Sequence, residues 1–358
     1  MKIGILTHHY VSNYGAFLQA YALSEAIAKA FSEDTVEIID YINIKHYVTN
    51  FGGWFRYYRK RERLKHWKKK IHVPFVFARE RKANLRLSPR CYTAKQVNRL
   101  RYDVIIVGSD EVWNYQDKKS TAKVKFGHGL TCRHIIAYAP SVGNSHKDAP
   151  EYVRTGLEKF SAISVRDALT GALVKKLTGK TPVSVLDPTF LYSIPQGKPK
   201  RIKKPYILFY YCDGLPKQIK EQIIEYARKT NRAVYGAGEW DFRYDDVTDN
   251  LTPFEWVDLF RNAEYVFTGT FHGTVFSILN RRPFKVYLTN KSRIRKVGSL
   301  LAELGIEDRQ INDGFVFDMS EMKEDIDFEA VDEILTERKK QSLDYLRDAI
   351  EAARTTRM

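Results

Sequence analysis

The stretch that decides the fold is Lys2–Ala26, KIGILTHHYVSNYGAFLQAYALSEA. Lys2–Thr7 is an apolar run of strand length, the pattern of a buried strand. A polar turn follows. From Gly15 to Phe31, Leu18, Ala22 and Ala26 recur on one helical face. Strand, turn and helix then repeat. Val36–Tyr41, Val104–Gly108, Ile135–Ala139, Ala162–Val165 and Val183–Leu186 read as further strands. Strands alternating with helices predict a doubly wound, mainly parallel sheet.

Ser193–Pro205, SIPQGKPKRIKKP, breaks the alternation with three prolines and no period, so it reads as a linker. The pattern then restarts. Tyr206–Tyr211, Glu264–Thr268 and Phe284–Leu288 read as strands, and Leu215–Thr230, a segment from about His272, and Ile294–Leu304 as helices. Phe328–Arg354 reads as one or two amphipathic helices. The expected architecture is α/β: two Rossmann-like doubly wound domains facing across a cleft, with C-terminal helices. The boundaries are 1–192 for the first domain, 193–205 for the linker, 206–327 for the second domain and 328–358 for the helices, which are expected to pack back on the first domain. A basic aromatic segment, 54–101, is placed in the first domain.

Composition narrows the class. Hydrophobic residues at 44% and charged residues at 28% exclude a wholly disordered or collagen-like chain. No apolar run reaches the roughly 18 residues that a spanning helix needs. The first ten residues lack the apolar core of a signal peptide. Cys91, Cys132 and Cys212 are far apart with no CxxC, which argues against a disulfide framework or a zinc site and fits a reducing cytoplasm. The net charge is +16, but Arg56–Arg101 holds 17 basic and 2 acidic residues. That segment therefore carries +15, and the remainder is close to neutral.

Ligands of open parallel sheets sit beyond the carboxyl ends of the strands. Three loops fall there. Thr7–Ala16 leads into a helix N-terminus able to hold an anion, although Asn13 could simply cap the helix and Gly15 permit close packing. It lacks the GxGxxG of a dinucleotide site. Val107–Asn114, VGSDEVWN, offers carboxylates and an amide for sugar hydroxyls or for a base, against the plainer use of Ser109 or Asp110 as a cap. Thr268–Thr274, TGTFHGT, sets His272 and Gly273 where a helix start favours phosphate. Lys291–Lys296, KSRIRK, brings cations to the same rim, where the arginine fork suits phosphate or carboxylate. In the basic segment, Trp54, Phe55, Tyr57, Tyr58, Trp67, Phe75 and Phe77 interleave with lysine and arginine. That mixture suits a membrane interface or nucleic acid, or a solvated basic helix pair.

Seven motifs in order, KIGILTHHYVSNYGAFLQAYAL (2–23), VGSDEVWN (107–114), YAPSVG (138–143), SVRD (164–167), VLDPTFL (185–191), FHGTVFSI (271–278) and SRI (292–294), resemble the polysaccharide pyruvyl transferases over about residues 1–310. The resemblance implies a fold similar to GT-B glycosyltransferases. It implies transfer of the pyruvyl group of phosphoenolpyruvate to two sugar hydroxyls, with release of phosphate and no cofactor or metal. His272 is then expected in the phosphoenolpyruvate site as the acid, with Asp110 as the second catalytic group. Gly273, Thr274, Arg293, Arg295 and Arg166 are expected around the donor. Arg293 stands in for the arginine that some members carry where this chain has Thr270, and Arg166 could instead pair with Asp167. Asn13, Tyr14, Gly15, Asp110, Trp113 and Asn114 are expected on the acceptor side.

A cytoplasmic enzyme acting on a polyprenyl-diphosphate-linked sugar implies contact with the inner face of the membrane. Trp54, Phe55, Arg56, Arg59, Lys60, Arg61, Trp67, Lys68 and Lys69 are expected to make it. The other readings are a nucleotide-sugar glycosyltransferase of the same fold and a basic membrane- or nucleic-acid-binding protein. No nucleic acid is expected on the leading reading.

Overall fold

The computed structural model describes residues 1–57, 64–145, 147–197, 202, 204–212, 214–247, 250–289, 291–318 and 326–356. The chain divides into two compact units. The first holds residues 1–53, 77–194 and 336–358, the second 54–76 and 195–335. The basic segment is thus split, with 54–76 in the second unit.

The first unit contains β1 Lys2–Leu6, β2 Thr35–Ile38, β3 Val104–Val107, β4 His134–Ala137, β5 Ala162–Val165 and β6 Val183–Ser184. They form one parallel sheet in the order β2-β1-β3-β4-β5-β6. Along the chain its helices are α1 Tyr14–Ala30 and α2 Ile44–Gly53, then after α3 Leu64–Lys70 of the second unit, α4 Val73–Asn84 from Phe77 onward, α5 Ala94–Asn98, α6 Glu151–Leu157 and α7 Ala168–Thr178. Ile3, Ile5, Leu6, Val104, Ile106 and Val107 are buried, as a strand covered on both faces requires.

The second unit contains β7 Tyr206–Tyr210, β8 Ala233–Gly236, β9 Asp246–Val247, β10 Tyr265–Thr268, β11 Phe284–Tyr287 and β12 Gln310–Ile311. They form a second parallel sheet in the order β12-β11-β10-β7-β8-β9. Its later helices are α8 Lys217–Lys229, α9 Pro253–Asn262, α10 Phe271–Leu279 and α11 Lys291–Glu303. Phe209 stacks between Tyr244 and Phe267, each ring centroid 5.3 Å away, in its core.

Both sheets are doubly wound and parallel. Strands β8, β9 and β12 were not expected from sequence. Two of them have only two residues, and β8 carries no apolar run long enough to stand out. The C-terminal segment is a single helix, α12 Phe328–Thr355. Its later half belongs to the first unit, where Ser342 Oγ accepts from the Leu186 N–H at 2.9 Å and the Tyr345 hydroxyl donates to the Ala137 carbonyl at 2.9 Å.

The strand orders fix where ligands belong. In the first sheet the winding reverses at β1 and β3, so the loops after Leu6 and Val107 lie side by side at the carboxyl edge. In the second it reverses at β7 and β10, which pairs the loops after Tyr210 and Thr268.

Candidate active site

In the first unit, Gln19 on α1 stitches the two switch-point loops together. Its amide donates to Thr7 Oγ1 at 3.0 Å and its carbonyl accepts from Ser109 Oγ at 2.9 Å. Thr7 Oγ1 in turn donates to the Ser109 carbonyl at 3.2 Å. Gly108 has φ +127°, and a Cβ there would sit 2.0 Å from the Tyr138 carbonyl oxygen, so only glycine lets β3 leave the sheet this way. The next turn holds Asp110 at φ 72°, in the left-handed region.

That backbone presents the Asp110 carboxylate to Arg166, whose Nη2 donates to it at 2.9 Å. The other end of the guanidinium pairs with Asp187. Burial alone would lower the Arg166 pKa, but Asp187 and Asp110 overcome it and hold the side chain charged. Asp167 instead caps α7, accepting from the Thr170 N–H at 2.9 Å. The ion-pair alternative for Arg166 therefore applies with different partners. Asp187, from VLDPTFL, was not singled out in the sequence.

Five of the six expected acceptor residues have structural partners of their own. Trp113 is 1% exposed, stacks on Phe126 and donates to the Lys125 carbonyl at 2.8 Å, so it belongs to the core. Tyr14 is buried against Phe77, ring centroids 5.1 Å apart. Asn13 caps α1, its side chain accepting from the Ala16 N–H at 3.0 Å, and Gly15 is buried in that first turn. Asn114 braces its own loop, accepting from Ser145 Oγ at 3.0 Å and from the Asp117 N–H at 3.1 Å. Of the expected acceptor set, Asp110 is the side chain that stands half-exposed in an ionic network at the sheet edge.

Beside it lies a cluster that sequence reading passed over. Lys125 is fully buried, and its Nζ lies 3.0 Å from His8 Nδ1 and 3.2 Å from His8 Nε2. Burial pulls the Lys125 pKa down to about 7, against a weaker upward pull from Asp110. Burial, then the charges of Lys125 and His46, hold His8 well below the ordinary histidine range. His46 on α2 is brought to about 4 by burial and Lys125, and its Nδ1 lies 3.0 Å from the Tyr10 hydroxyl. The one available signal was a lysine between the apolar residues Val124 and Phe126, which reads equally as ordinary alternation.

In the second unit, Thr270 caps α10: its Oγ1 accepts from the Gly273 N–H at 3.0 Å. His272 therefore occupies the first turn, at the positive end of the helix dipole. A Cβ on Gly273 would fall 2.0 Å from Thr268 Oγ1. The packing of α10 on β10 therefore requires glycine here. Thr274 is buried, and its hydroxyl donates to the Thr270 carbonyl at 3.0 Å, so it faces its own helix.

Arg293, in the first turn of α11, donates from Nη1 to the Gly269 carbonyl at 3.1 Å. Arginine and helix start are thus brought together across 24 residues of sequence. Arg295 is exposed. Across the switch point, the Glu239 carboxylate accepts from the Cys212 N–H at 2.5 Å, Lys220 Nζ at 2.7 Å and the Tyr244 hydroxyl at 2.6 Å, which anchors the loop leaving β7.

In the 54–76 segment, Phe55, Tyr57, Leu64 and Phe75 are exposed apolar residues, and Arg56 and Lys68 are exposed beside them. Trp67 donates to the Phe55 carbonyl at 3.3 Å, and Lys69 Nζ lies 3.4 Å from Asp246. Arg59, Lys60 and Arg61 lie outside the described residues. Among the described residues no helix is long and apolar enough to cross a membrane, and no group of three His, Cys, Asp or Glu could hold a metal ion.

The sequence pattern of the polysaccharide pyruvyl transferases matches residues 13–290, most of the chain, and the protein belongs to that family. It is a transferase of polysaccharide biosynthesis. No curated protein matches it. Among solved structures, the glycosyltransferase SnogD from Streptomyces nogalater is similar at 10% identity, 99% of each chain covered and a TM-score of 0.46. A glycosyltransferase of kitacinnamycin is similar at 13% identity, with 99% of this chain and 98% of that one covered and a TM-score of 0.47.

Proposed function

We propose that this transferase moves the pyruvyl group of phosphoenolpyruvate onto two hydroxyls of a sugar, forming a cyclic ketal on a lipid-linked saccharide precursor. The observation that carries the reading is the meeting of Arg293 with the Gly269 carbonyl at the start of α10, one turn from His272. A cation, a helix N-terminus and a histidine suit a donor that bears phosphate and carboxylate.

His272 protonates the methylene carbon of the enol phosphate, and oxocarbenium character develops at the central carbon. One sugar oxygen forms a bond there, the bond to the phosphate oxygen breaks, and the second sugar oxygen closes the ring. Of the two hydroxyl protons, one replaces that delivered to the methyl group and the other leaves with phosphate. Fixed cations at the donor lower the barrier because they need not reorganise as charge moves. Asp110, with Arg166 behind it, is assigned to the acceptor side.

The exposed aromatic and basic residues of 54–76 support a place at an anionic membrane surface. Helix α2 adds to this. Ile44, Tyr47 and Val48 are exposed at helical spacing, and Tyr47 stacks on Phe51 at 5.9 Å.

Thermal-shift titration of the purified protein tests the reading, with phosphoenolpyruvate set against UDP-, GDP- and CMP-sugars. A ligand at 100 times its dissociation constant stabilises the native state by about 2.7 kcal/mol. Stabilisation by phosphoenolpyruvate, lost in His272→Ala and Arg293→Ala, is expected. Stabilisation by one nucleotide-sugar alone would replace this reading with glycosyl transfer.

A further inference from the structure

Lys125 is buried without a carboxylate in hydrogen-bond contact, which is an uncommon place for a lysine. Its Nζ lies within hydrogen-bond reach of the His8 ring. His8 follows β1 and Asp110 follows β3, so the pair lies at the switch point of the first sheet. The groups around it come from four elements. His8 and Tyr10 stand on the loop after β1, and His46 on α2 has its ring 5.2 Å from that of His8. Asp110 and the Glu111 carbonyl stand on the loop after β3, and Lys125 lies on the 3-10 turn Lys123–Phe126. Tyr10 also lies under the ammonium, 5.9 Å from ring centroid to Nζ.

We infer that His8 and Lys125 share a single proton and accept one from the sugar hydroxyl, with His8 as the group that meets the hydroxyl and Lys125 as the positioning residue behind it. This rests on the proposed pyruvyl transfer. Two buried bases within 3.2 Å cannot both carry charge cheaply, so the pair holds one proton or none. In the proton-free form it takes the hydroxyl proton as the sugar oxygen bonds to the ketal carbon, and the O–H electron pair becomes that C–O bond. The proton then passes to solvent by way of Asp110, the partly exposed member of the group, and solvent restores the proton that His272 gave to the methyl group. Lys125 ionises close to neutrality, so the proton-free form is populated at working pH. Because Lys125 has the stronger hold on the shared proton, His8 stays neutral while Lys125 is present.

Two measurements test the inference. The first needs no substrate. In protein labelled at the histidine rings, with the His8 signal assigned through His8→Gln, the His8 ring should stay neutral well below the ordinary range. In Lys125→Met, a near-isosteric change, its titration should move up by at least one pH unit. If the packing around Lys125 does not accept methionine, Lys125→Gln serves the same purpose. An unchanged His8 titration would overturn the pair.

The second is phosphate release from phosphoenolpyruvate with a panel of nitrophenyl glycosides between pH 6 and 9. The wild-type rate should rise through about pH 7. In Lys125→Met the rate should fall at least tenfold and the rise should flatten, with the apparent KM for phosphoenolpyruvate unchanged. A wild-type profile in Lys125→Met would overturn the catalytic role even where the titration coupling is found. If the wild-type protein is neither stabilised by phosphoenolpyruvate nor releases phosphate from it, pyruvyl transfer fails and the proton-accepting role falls with it. The ring titration still decides the pair.

Discussion

Arg166 joins two carboxylates that are far apart in sequence, Asp110 at 2.9 Å and the fully buried Asp187. The guanidinium is itself 5% exposed at the side chain. Asp187 also accepts from Thr189, through the backbone N–H at 3.1 Å and the hydroxyl at 2.7 Å. This is a satisfied buried network, and its first duty is to hold Asp110 in place.

Removing one member of such a network leaves uncompensated charge. Arg166→Gln should therefore destabilise the protein by about 3–5 kcal/mol, the range for a broken buried pair. Urea denaturation reads this directly. A loss below about 1 kcal/mol would mean that Arg166 is there for a ligand and not for the fold.

Arg293 differs. It is exposed, and its Nη1 donates to the Gly269 carbonyl and not to a buried carboxylate. Arg293→Ala should change stability by less than about 0.5 kcal/mol, as for most surface changes. Loss of a charged hydrogen bond to the donor, about 1.5–3 kcal/mol, should weaken phosphoenolpyruvate binding roughly 10- to 100-fold. Isothermal titration with phosphoenolpyruvate checks both the sign and the size. Unchanged affinity would return the role of cation to another residue.

The buried lysine makes stability depend on pH with a definite sign. Its folded pKa of about 7 lies below the unfolded lysine value. Between the two, the unfolded chain binds a proton that the folded chain has released, so stability rises with pH. His8 and His46 act in the same direction but at lower pH. From pH 7 to 9.5 the wild-type protein should gain on the order of a few kcal/mol against urea. Lys125→Met should lose that gain.

The membrane reading makes neighbouring lysines unequal. Lys68 is exposed, whereas Lys69 lies against Asp246. Each free basic residue near an anionic surface contributes on the order of 1 kcal/mol. Lys68→Ala should reduce sedimentation with phosphatidylserine vesicles at low salt about fivefold, and Lys69→Ala by less. Equal effects, or no binding by the wild-type protein, would remove 54–76 from the membrane surface.

The two-sheet plan was legible because its evidence is local. KIGIL after its lysine, VIIV and YILFY are apolar or aromatic throughout, and burial on both faces selects such runs. Helix starts were legible for a similar reason, since Asn13 and Thr270 act on amides three residues away. The same locality misled the reading of Trp113 and Thr274. Each sits in a motif of chemical residues, yet the fold turns one into the core and the other onto its own helix.

By itself, then, the sequence determined the class of fold, the order of its longer strands and the family to which the chain belongs. It also marked the loops that carry the chemistry, since strand ends and glycines are written in short stretches. Only the tertiary structure decided the partners. Gln19 reaches Ser109 across 90 residues, Lys125 reaches His8 across 117, and Arg166 finds Asp187 instead of the adjacent Asp167. Such pairings depend on strand order, because β1 and β3 become neighbours only when the sheet closes around them. Burial then sets the charge of each group, and burial is a property of the packed whole.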